Sequence, residues 1–234
     1  MKRVLLMLIC GSATMIAVAQ KKEDPKSSLI IKGGLNFANI STTSNGRVDD
    51  ANALTSFHAG FVGDLYLAPI LSFQPGLLIT GKGTKSQSGQ QSDANYFKAT
   101  TNPIYLEIPA NLVFKIPIAS NAKIYAGAGP YLGIGVAGKN KVEGNVGGVA
   151  FEDKSNIKWS NDDPTTLNYE EGAGFGILKR FDYGINGLAG VEFDKLVLGV
   201  GYGYGLAKLQ SGSNSSSDDN NKNRVWSASV GFRF

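Results

Sequence analysis

His58 is the only histidine in the 234 residues and the side chain best suited to acid–base chemistry. Ser56, Asp49 and Asp50 lie close to it in sequence, and an imidazole beside a hydroxyl or a carboxylate can activate a nucleophile. Proximity in sequence is not a geometry, however, and no serine motif stands out. We therefore expect His58 to be an ordinary residue of the inner face near the outer rim, with a lipid-modifying enzyme centred on this residue as an alternative.

The glycine-rich segment Gly133–Gly138 matches the dinucleotide fingerprint G-x-G-x-x-G letter for letter. That motif works only where a helix N-terminus follows it and receives the pyrophosphate. Residues 139–148 are polar, contain glycine and lack helical periodicity. Inward-facing glycines on a β-strand are therefore the favoured interpretation.

Metal binding has little support in the sequence. One cysteine and one histidine cannot form a zinc site from those two residue types. Three carboxylate pairs offer the hard oxygen ligands that calcium prefers, but none has the spacing of a dedicated calcium loop. We expect these pairs to solvate loops, and we expect no cofactor, no metal and no catalysis. The pairs are Asp49-Asp50, Asp162-Asp163 and Asp218-Asp219.

The composition excludes several other classes. With 23 basic and 19 acidic residues and no basic cluster, the chain lacks the footprint of a nucleic-acid partner. A single cysteine excludes a disulfide scaffold. Glycine accounts for 30 of the 234 residues, about twice its average share. Glycines scattered through apolar segments indicate strongly curved or tightly packed strands.

The first residues indicate export. Lys2 and Arg3 precede an apolar run, and Ala17-Val18-Ala19 places small residues at a cleavage position. We predict a signal peptide over residues 1–19 with cleavage before Gln20, a short periplasmic segment over residues 20–27, and a folded domain over residues 28–234.

The folded domain shows two-residue alternation between one apolar face and one mixed face, which is typical of β-strands. Segments of about ten residues suit strands that cross a membrane at a tilt. Eight strands are predicted: Leu29–Phe37, Phe57–Leu67, Leu71–Lys82, Ile104–Ile116, Ile124–Val136, Phe181–Phe193, Leu196–Leu206 and Trp226–Phe234.

The connections decide between a soluble sandwich and a membrane barrel. Long polar connections alternate strictly with short ones, and an even strand count places both ends on the periplasmic side. This pattern predicts an all-β fold, an eight-stranded antiparallel up-and-down transmembrane β-barrel with long outside loops and short periplasmic turns. The long connections span residues 41–55, 83–102, 138–179 and 210–224, and the short ones are Ala68-Pro69, 117–122 and Asp194-Lys195.

Ionisable residues on the mixed face should point into this barrel. Facing lipid, each basic one would cost up to about 2 to 4 kcal/mol near the membrane midplane. Because an eight-stranded barrel has room inside only for side chains, we expect them to pair in a plugged core, and a passive small-solute channel is the alternative. The predicted interior charge network is Lys32, Asp64, Lys82, Glu107, Lys115, Asp182, Glu192 and Arg233.

Several motifs resemble the PorT-like outer-membrane β-barrel family across the whole mature chain. The resemblance implies an eight-stranded barrel in a Gram-negative outer membrane, and an assembly machinery that reads the last strand through Phe232 and Phe234. It implies little about activity. The matching segments are Ile30–Phe37, Phe73–Leu78, Tyr105–Pro109, Tyr125–Leu132, Tyr202–Leu206 and Val230–Phe234.

Two features complicate the barrel. Pro75, Pro109 and Pro130 each remove a donor from a predicted strand, so we expect local bulges or positions beyond the paired region. The sequence also leaves open whether part of the connection over residues 138–179 pairs and extends the barrel to ten strands.

These observations predict a monomeric outer-membrane protein that contacts membrane lipids and lipopolysaccharide. We expect its outside loops to serve surface interaction or envelope integrity. The lipid-modifying enzyme and the passive channel remain the two alternatives.

Overall fold

A computed structural model of the chain describes residues 27–41, 43–44, 47–48, 52–90, 93, 95–160, 176–209 and 222–234. The predicted signal peptide and the three carboxylate pairs lie outside the described residues. No helix long and apolar enough to cross a membrane occurs in the part of the chain that the structure describes.

The regular elements are all β-strands. They are β1 (Ser28–Ser41), β2 (Thr43–Ser44), β3 (Arg47–Val48), β4 (Asn52–Ala68), β5 (Leu71–Gly81), β6 (Thr84–Ser88), β7 (Asn95–Pro117), β8 (Ala122–Val146), β9 (Val149–Asn156), β10 (Lys158–Trp159), β11 (Ile177–Leu178), β12 (Phe181–Phe193), β13 (Leu196–Gly205) and β14 (Lys222–Arg233).

Eight long strands form a closed antiparallel ring. Each of β1, β4, β5, β7, β8, β12, β13 and β14 pairs with its two neighbours along the chain, and β14 pairs with β1 to complete the circuit. Short turns join β4 to β5, β7 to β8 and β12 to β13. The prediction of an all-β antiparallel fold with eight strands is confirmed.

The two faces of the ring are inverted relative to a soluble protein. Phe57 and Phe61 on the outer face are 47% and 50% exposed, whereas Asp64 and Asp182 on the inner face are 0% exposed. In water such a surface would cost free energy, but in a bilayer the apolar face is the one that lipid contacts. The alternation in the sequence thus produces a polar interior and an apolar exterior.

The connection over residues 138–179 differs from the long polar loop we expected. Strand β8 continues to Val146, and a turn at Gly147 and Gly148 leads into β9. Within the described residues β9 pairs only with β8, so the ring keeps eight strands rather than ten. Periodicity does not report these strands because charged and polar residues occupy the positions where apolar residues would alternate.

One side of the ring therefore rises beyond the others at the loop end. Strand β6 pairs with β7 above the end of β5, and β9 takes the place beside β8 that β12 occupies lower down. We call this raised wall the outside extension. It comprises β6, residues 95–103 of β7, residues 138–146 of β8, and β9.

The three prolines lie inside strands, not beyond the paired region, and each interrupts the ladder on one side only. Pro75 is skipped by the ladder with β4 but is paired with Ala110 on β7. Pro109 and Pro130 show the same arrangement. Each has no partner in the ladder with the preceding strand and is paired with a residue of the following strand. Because proline has no N–H to donate, one side of each ladder opens where it sits.

Candidate functional site

The inner face carries two charge clusters at different heights. The first lies near the short turns, and we call it the turn-end cluster. Lys115 Nζ lies 2.5 Å from Asp64 Oδ2 and 2.7 Å from Glu192 Oε1. Arg233 Nη2 lies 3.1 Å from Asp64 Oδ2 and 2.6 Å from Glu192 Oε1. Each carboxylate is thus shared by two cations from different strands, which ties β4, β7, β12 and β14 together.

The second cluster lies nearer the outside loops, and we call it the loop-end cluster. Lys82 Nζ lies 2.6 Å from Glu107 Oε2, 2.9 Å from Asp182 Oδ2 and 3.9 Å from the centre of the Tyr131 ring. Asn223 Nδ2 donates a hydrogen bond of 2.9 Å to Asp182 Oδ2. One cation is therefore held by two carboxylates and an aromatic face.

Lys32 stands apart from both clusters. It lines an interior cavity of about 100 Å³ together with His58, Gly187 and Gly201, among others. Gly187 lies on the outer face with its ladder partners Ala128 and Tyr202, so it borders this cavity through its backbone. The side chain of Lys32 forms no ion pair or hydrogen bond with any residue that the structure describes, whereas its backbone takes part in the ladders with β4 and β14. The structure thus brings seven of the eight predicted network residues into contact and leaves Lys32 without a partner among them.

An apolar cap lies beyond the loop-end cluster, where the chain returns over the mouth of the ring. Trp159 of β10 packs edge to face on Tyr105 at a centroid distance of 5.7 Å, and β10 pairs with β11 in parallel. A Cβ at Gly135 would lie 2.3 Å from the Trp159 ring, so a larger residue there would have to displace this ring. The other members of the cap are Ile40, Ile157, Leu178 and Leu209.

The structure of β8 also tests the dinucleotide-binding interpretation of the glycine motif at 133–138. Strand β8 runs straight through it to Val146, and no helix N-terminus follows. The dinucleotide interpretation is therefore excluded by the local structure, and the inward glycines accommodate bulky side chains such as Trp159 instead.

His58 is buried on the inner face with a neutral partner. Its Nδ1 lies 2.8 Å from Asn36 Oδ1, and Asn36 Nδ2 donates to the carbonyl oxygens of Phe57 at 3.1 Å and Gly81 at 2.9 Å. Those two carbonyls fix the orientation of the amide, so Nδ1 carries the hydrogen. Among the described residues no carboxylate hydrogen-bonds to His58, and the imidazole faces the interior rather than lipid.

Metal ligation finds no support in the described segments, where no three His, Cys, Asp or Glu side chains lie together. The acidic pairs at 49–50, 162–163 and 218–219 fall in the segments that the structure does not describe. Their expected role as solvated loop residues stays a prediction.

Sequence reasoning missed the aromatic and apolar partners of the charges. Tyr131 shares the mixed, inward face of β8 with the neighbouring glycines, as alternation predicts, but alternation does not identify Lys82 as its partner. Trp159, Leu178 and Leu209 carry no such pattern, because the segments around them are short and irregular. Their packing arises from tertiary contacts alone.

Comparison with known families gives a match over most of the chain. The family model described as outer membrane protein beta-barrel domain matches residues 18–211. No curated protein matches the chain. Among solved structures the chain is similar to Ail, the attachment invasion locus protein of Yersinia pestis, in complex with the heparin analogue sucrose octasulfate, with 14% identity and a TM-score of 0.41 over 90% of this chain and 100% of that chain.

Two further solved structures are similar at the same level. Neisserial surface protein A shows 16% identity and a TM-score of 0.41 over 89% of this chain and 98% of that chain. OprG from Pseudomonas aeruginosa shows 14% identity and a TM-score of 0.35 over 89% of this chain and 96% of that chain.

Proposed function

We propose a function from the premise that the chain belongs to the outer membrane protein beta-barrel domain family, whose model matches residues 18–211. The protein spans the outer membrane of a Gram-negative bacterium as a monomer and presents its outside loops for surface interaction or envelope integrity. It catalyses no reaction. The signal peptide is cleaved before Gln20 on export, and the motifs that resemble PorT-like proteins support that finer family assignment.

The observation that carries this proposal is the filled interior of the ring. From the short turns outward, the described side chains form the turn-end cluster, a small cavity, the loop-end cluster and the apolar cap. Opening a path for solutes would require both charge clusters to separate, and an unpaired buried charge is costly. A filled interior of this kind favours a function in interactions at the outer surface over transport of solutes through the ring.

The geometry around His58 argues against the lipid-modifying alternative. A barrel enzyme that acts on bilayer lipids needs its catalytic groups where an acyl chain or headgroup can reach them. The imidazole of His58 is 5% exposed and points toward the interior, where it meets the Asn36 amide. A neutral amide orients an imidazole but does not stabilise the imidazolium that a general base must form.

A cysteine-labelling experiment tests the proposed placement in the membrane. The chain has one cysteine, Cys10, within the predicted signal peptide, so introduced cysteines report alone after cleavage. Lys154→Cys lies in the outside extension, and Lys195→Cys lies in the short turn between β12 and β13. On intact cells an impermeant maleimide should label the first variant only, and both should be labelled after the outer membrane is broken.

Labelling of Lys195→Cys on intact cells would overturn the proposed topology. Purified protein in planar bilayers provides the second test, because a filled interior should give no steady conductance steps. Regular single-channel steps would instead support the passive channel.

A further inference from the structure

One face of the outside extension carries an excess of lysine. The strand register places Lys98 opposite Glu143, which lies opposite Glu152, and places Lys141 opposite Lys154. Cross-strand partners share a face of the sheet. This face, which we call the lysine face, therefore holds five lysines and two glutamates. They are Lys85, Lys98, Lys139, Lys141, Lys154, Glu143 and Glu152.

The lysine face is the upward continuation of the apolar outer face of the ring. An added Cβ on Gly138 would lie 2.5 Å from Ile157 of the cap, so Gly138 faces inward and its neighbour Lys139 faces outward. Lower on the same strand, Leu132 and Val136 are the exposed apolar residues. A register shift between Ile104 and Tyr105 on β7, opposite Ala137 and Gly135, keeps this side outward in both halves.

The lysines lie at the height of the lipid headgroups if the apolar face marks the hydrocarbon region. Lys139 follows Val136 by three residues, which is about 10 Å along a strand and less in height because barrel strands are tilted. Lysine side chains are long enough to cover much of that distance toward the interface. The ammonium groups therefore reach the headgroup layer of the outer leaflet.

The internal charge balance of this face is incomplete. Lys141 stands directly across from Lys154, and like charges in such a pair destabilise a sheet. The two glutamates are shared: Glu143 contacts both Lys98 and Lys141, and Glu152 Oε1 lies 2.5 Å from Lys154 Nζ and 3.6 Å from Lys141 Nζ. Lys139 is exposed and forms no ion pair within the described residues. Three positive charges are left without a counter-charge on the face.

We propose that the lysine face binds the phosphate groups of glycolipids in the outer leaflet. The inference rests on the proposed placement in the outer membrane and names the partner of its surface. Phosphate is the ligand that matches, because it is anionic, lies at the headgroup level beside an apolar band, and accepts hydrogen bonds from several ammonium groups at once. Phosphates bridged by the extension would anchor the protein to neighbouring lipids, as a role in envelope integrity requires.

Binding of lipopolysaccharide to the full-length mature protein in zwitterionic detergent micelles tests the proposal. The probes are a fluorescent lipopolysaccharide with both lipid A phosphates and the same molecule after removal of the phosphates. We expect the phosphorylated form to bind at least about tenfold more tightly, since each lysine near an anionic surface contributes severalfold. The triple variant Lys139→Gln, Lys141→Gln, Lys154→Gln should lose that preference.

Two further variants make the test specific. Glu152→Gln removes one anionic group from the face and should strengthen binding of the phosphorylated form. Lys195→Gln removes one positive charge at the opposite end of the ring and should leave binding unchanged. The Glu152→Gln arm decides the outcome even if the triple variant does not fold, which a gel comparison of boiled and unboiled samples would show.

Several results would overturn the inference. Equal affinity for the two probes would show that the phosphates do not contribute to binding. A loss of affinity with Lys195→Gln as large as with the triple variant would show that binding depends on the net charge of the protein and not on the lysine face. Displacement of the lipid by millimolar inorganic phosphate would point to a site for free phosphate. Because the assay uses purified protein, these results are independent of the labelling experiment, and failure here with correct labelling would leave the proposed function intact.

Discussion

Lys115 is the residue whose loss should cost the most stability. It bridges Asp64 and Glu192, so Lys115→Met would leave two buried carboxylates with Arg233 as their remaining cation. Removing one partner from a buried ion pair costs about 3 to 5 kcal/mol. We expect the guanidinium unfolding midpoint of the protein in micelles to fall accordingly.

A compensating change separates the effect of charge from the effect of packing. Adding Glu192→Gln to Lys115→Met restores one cation to one carboxylate, and part of the lost stability should return. The exposed Lys195→Met is the matched control and should unfold like the parent. If Lys115→Met also unfolds like the parent, the turn-end cluster does not stabilise the ring.

Protonation of Glu143 should make the stability of the outside extension depend on pH. Hydrogen bonds from Lys141 and Lys98 lower the pKa of Glu143 from its usual 4.5 to about 2. A lowered folded-state pKa means that the stabilisation is complete above pH 4.5 and is lost as the pH falls toward 2. Because the Glu143 side chain keeps 20% of its surface exposed, the effect should be modest and should weaken in salt.

Carbon-detected NMR of the Glu143 carboxyl across pH 5 to 1.5 measures this titration. The expected midpoint is near 2 in the parent, and replacing both Lys98 and Lys141 by glutamine should raise it toward 4.5. A parent midpoint already at 4.5 would show that the lysines do not hold Glu143 in solution.

At the level of elements, the turn at Gly147 and Gly148 sets the register of the β8–β9 hairpin. Both residues have positive φ, 60° and 86°, as a type I′ turn requires, and neither has any atom within 4 Å of an added Cβ. Backbone conformation alone therefore sets the cost of substitution. Gly147→Val should destabilise the hairpin by about 1 to 2 kcal/mol, whereas Gly147→Asn should be tolerated.

Hydrogen exchange resolves this effect by element. In Gly147→Val the amides of β9 should exchange faster, while those of the ring strands should keep the protection of the parent. Equal protection of β9 in the Val and Asn variants would contradict the role assigned to the turn.

The strands that cross the membrane could be predicted from the sequence because each has one face in lipid. Phe181–Phe193 was predicted and found with the same bounds, since apolar and polar residues alternate along most of it, with a break at Gly187-Leu188. In contrast, β9 carries Glu152, Asp153 and Lys154 in succession and has no apolar face. Its pairing depends on the neighbouring β8 and on a two-glycine turn, and periodicity does not report either feature.

At the scale of the whole molecule, the interior is built in layers that the order of the strands does not reveal. The inward direction of Lys82, Glu107 and Asp182 follows from alternation, but their meeting depends on the stagger of three strands around a closed ring. The apolar cap is harder to predict from the sequence than the charge clusters, because Trp159 and Leu178 come from short strands that return over the mouth. The charge of a side chain determines whether it faces the interior or the outer surface of the ring, whereas the stagger of the strands determines which other side chains it contacts.

Closure of the ring depends on the β1–β14 seam, and the aromatic residues at its end should act in assembly more than in stability. Phe232 and Phe234 lie edge to face at 5.1 Å and are 46% and 65% exposed on the outer face, so they contribute little packing inside the protein. The Phe234 amide donates a backbone hydrogen bond of 2.9 Å to the carbonyl oxygen of Leu29, and substitution of the side chain leaves this bond in place. We propose that the barrel assembly machinery recognises this pair.

The double variant Phe232→Ala, Phe234→Ala should therefore refold in micelles like the parent but accumulate as unfolded chain in the periplasm. The measurement compares heat-shifted mobility of refolded protein with outer-membrane levels in cells. Phe193→Ala, an exposed aromatic at the same end of the ring, is the matched control and should reach the membrane normally. Normal outer-membrane levels of the double variant would remove the assembly role, whereas a failure to refold in micelles would assign the two rings to stability instead, because in that experiment no cellular machinery is present.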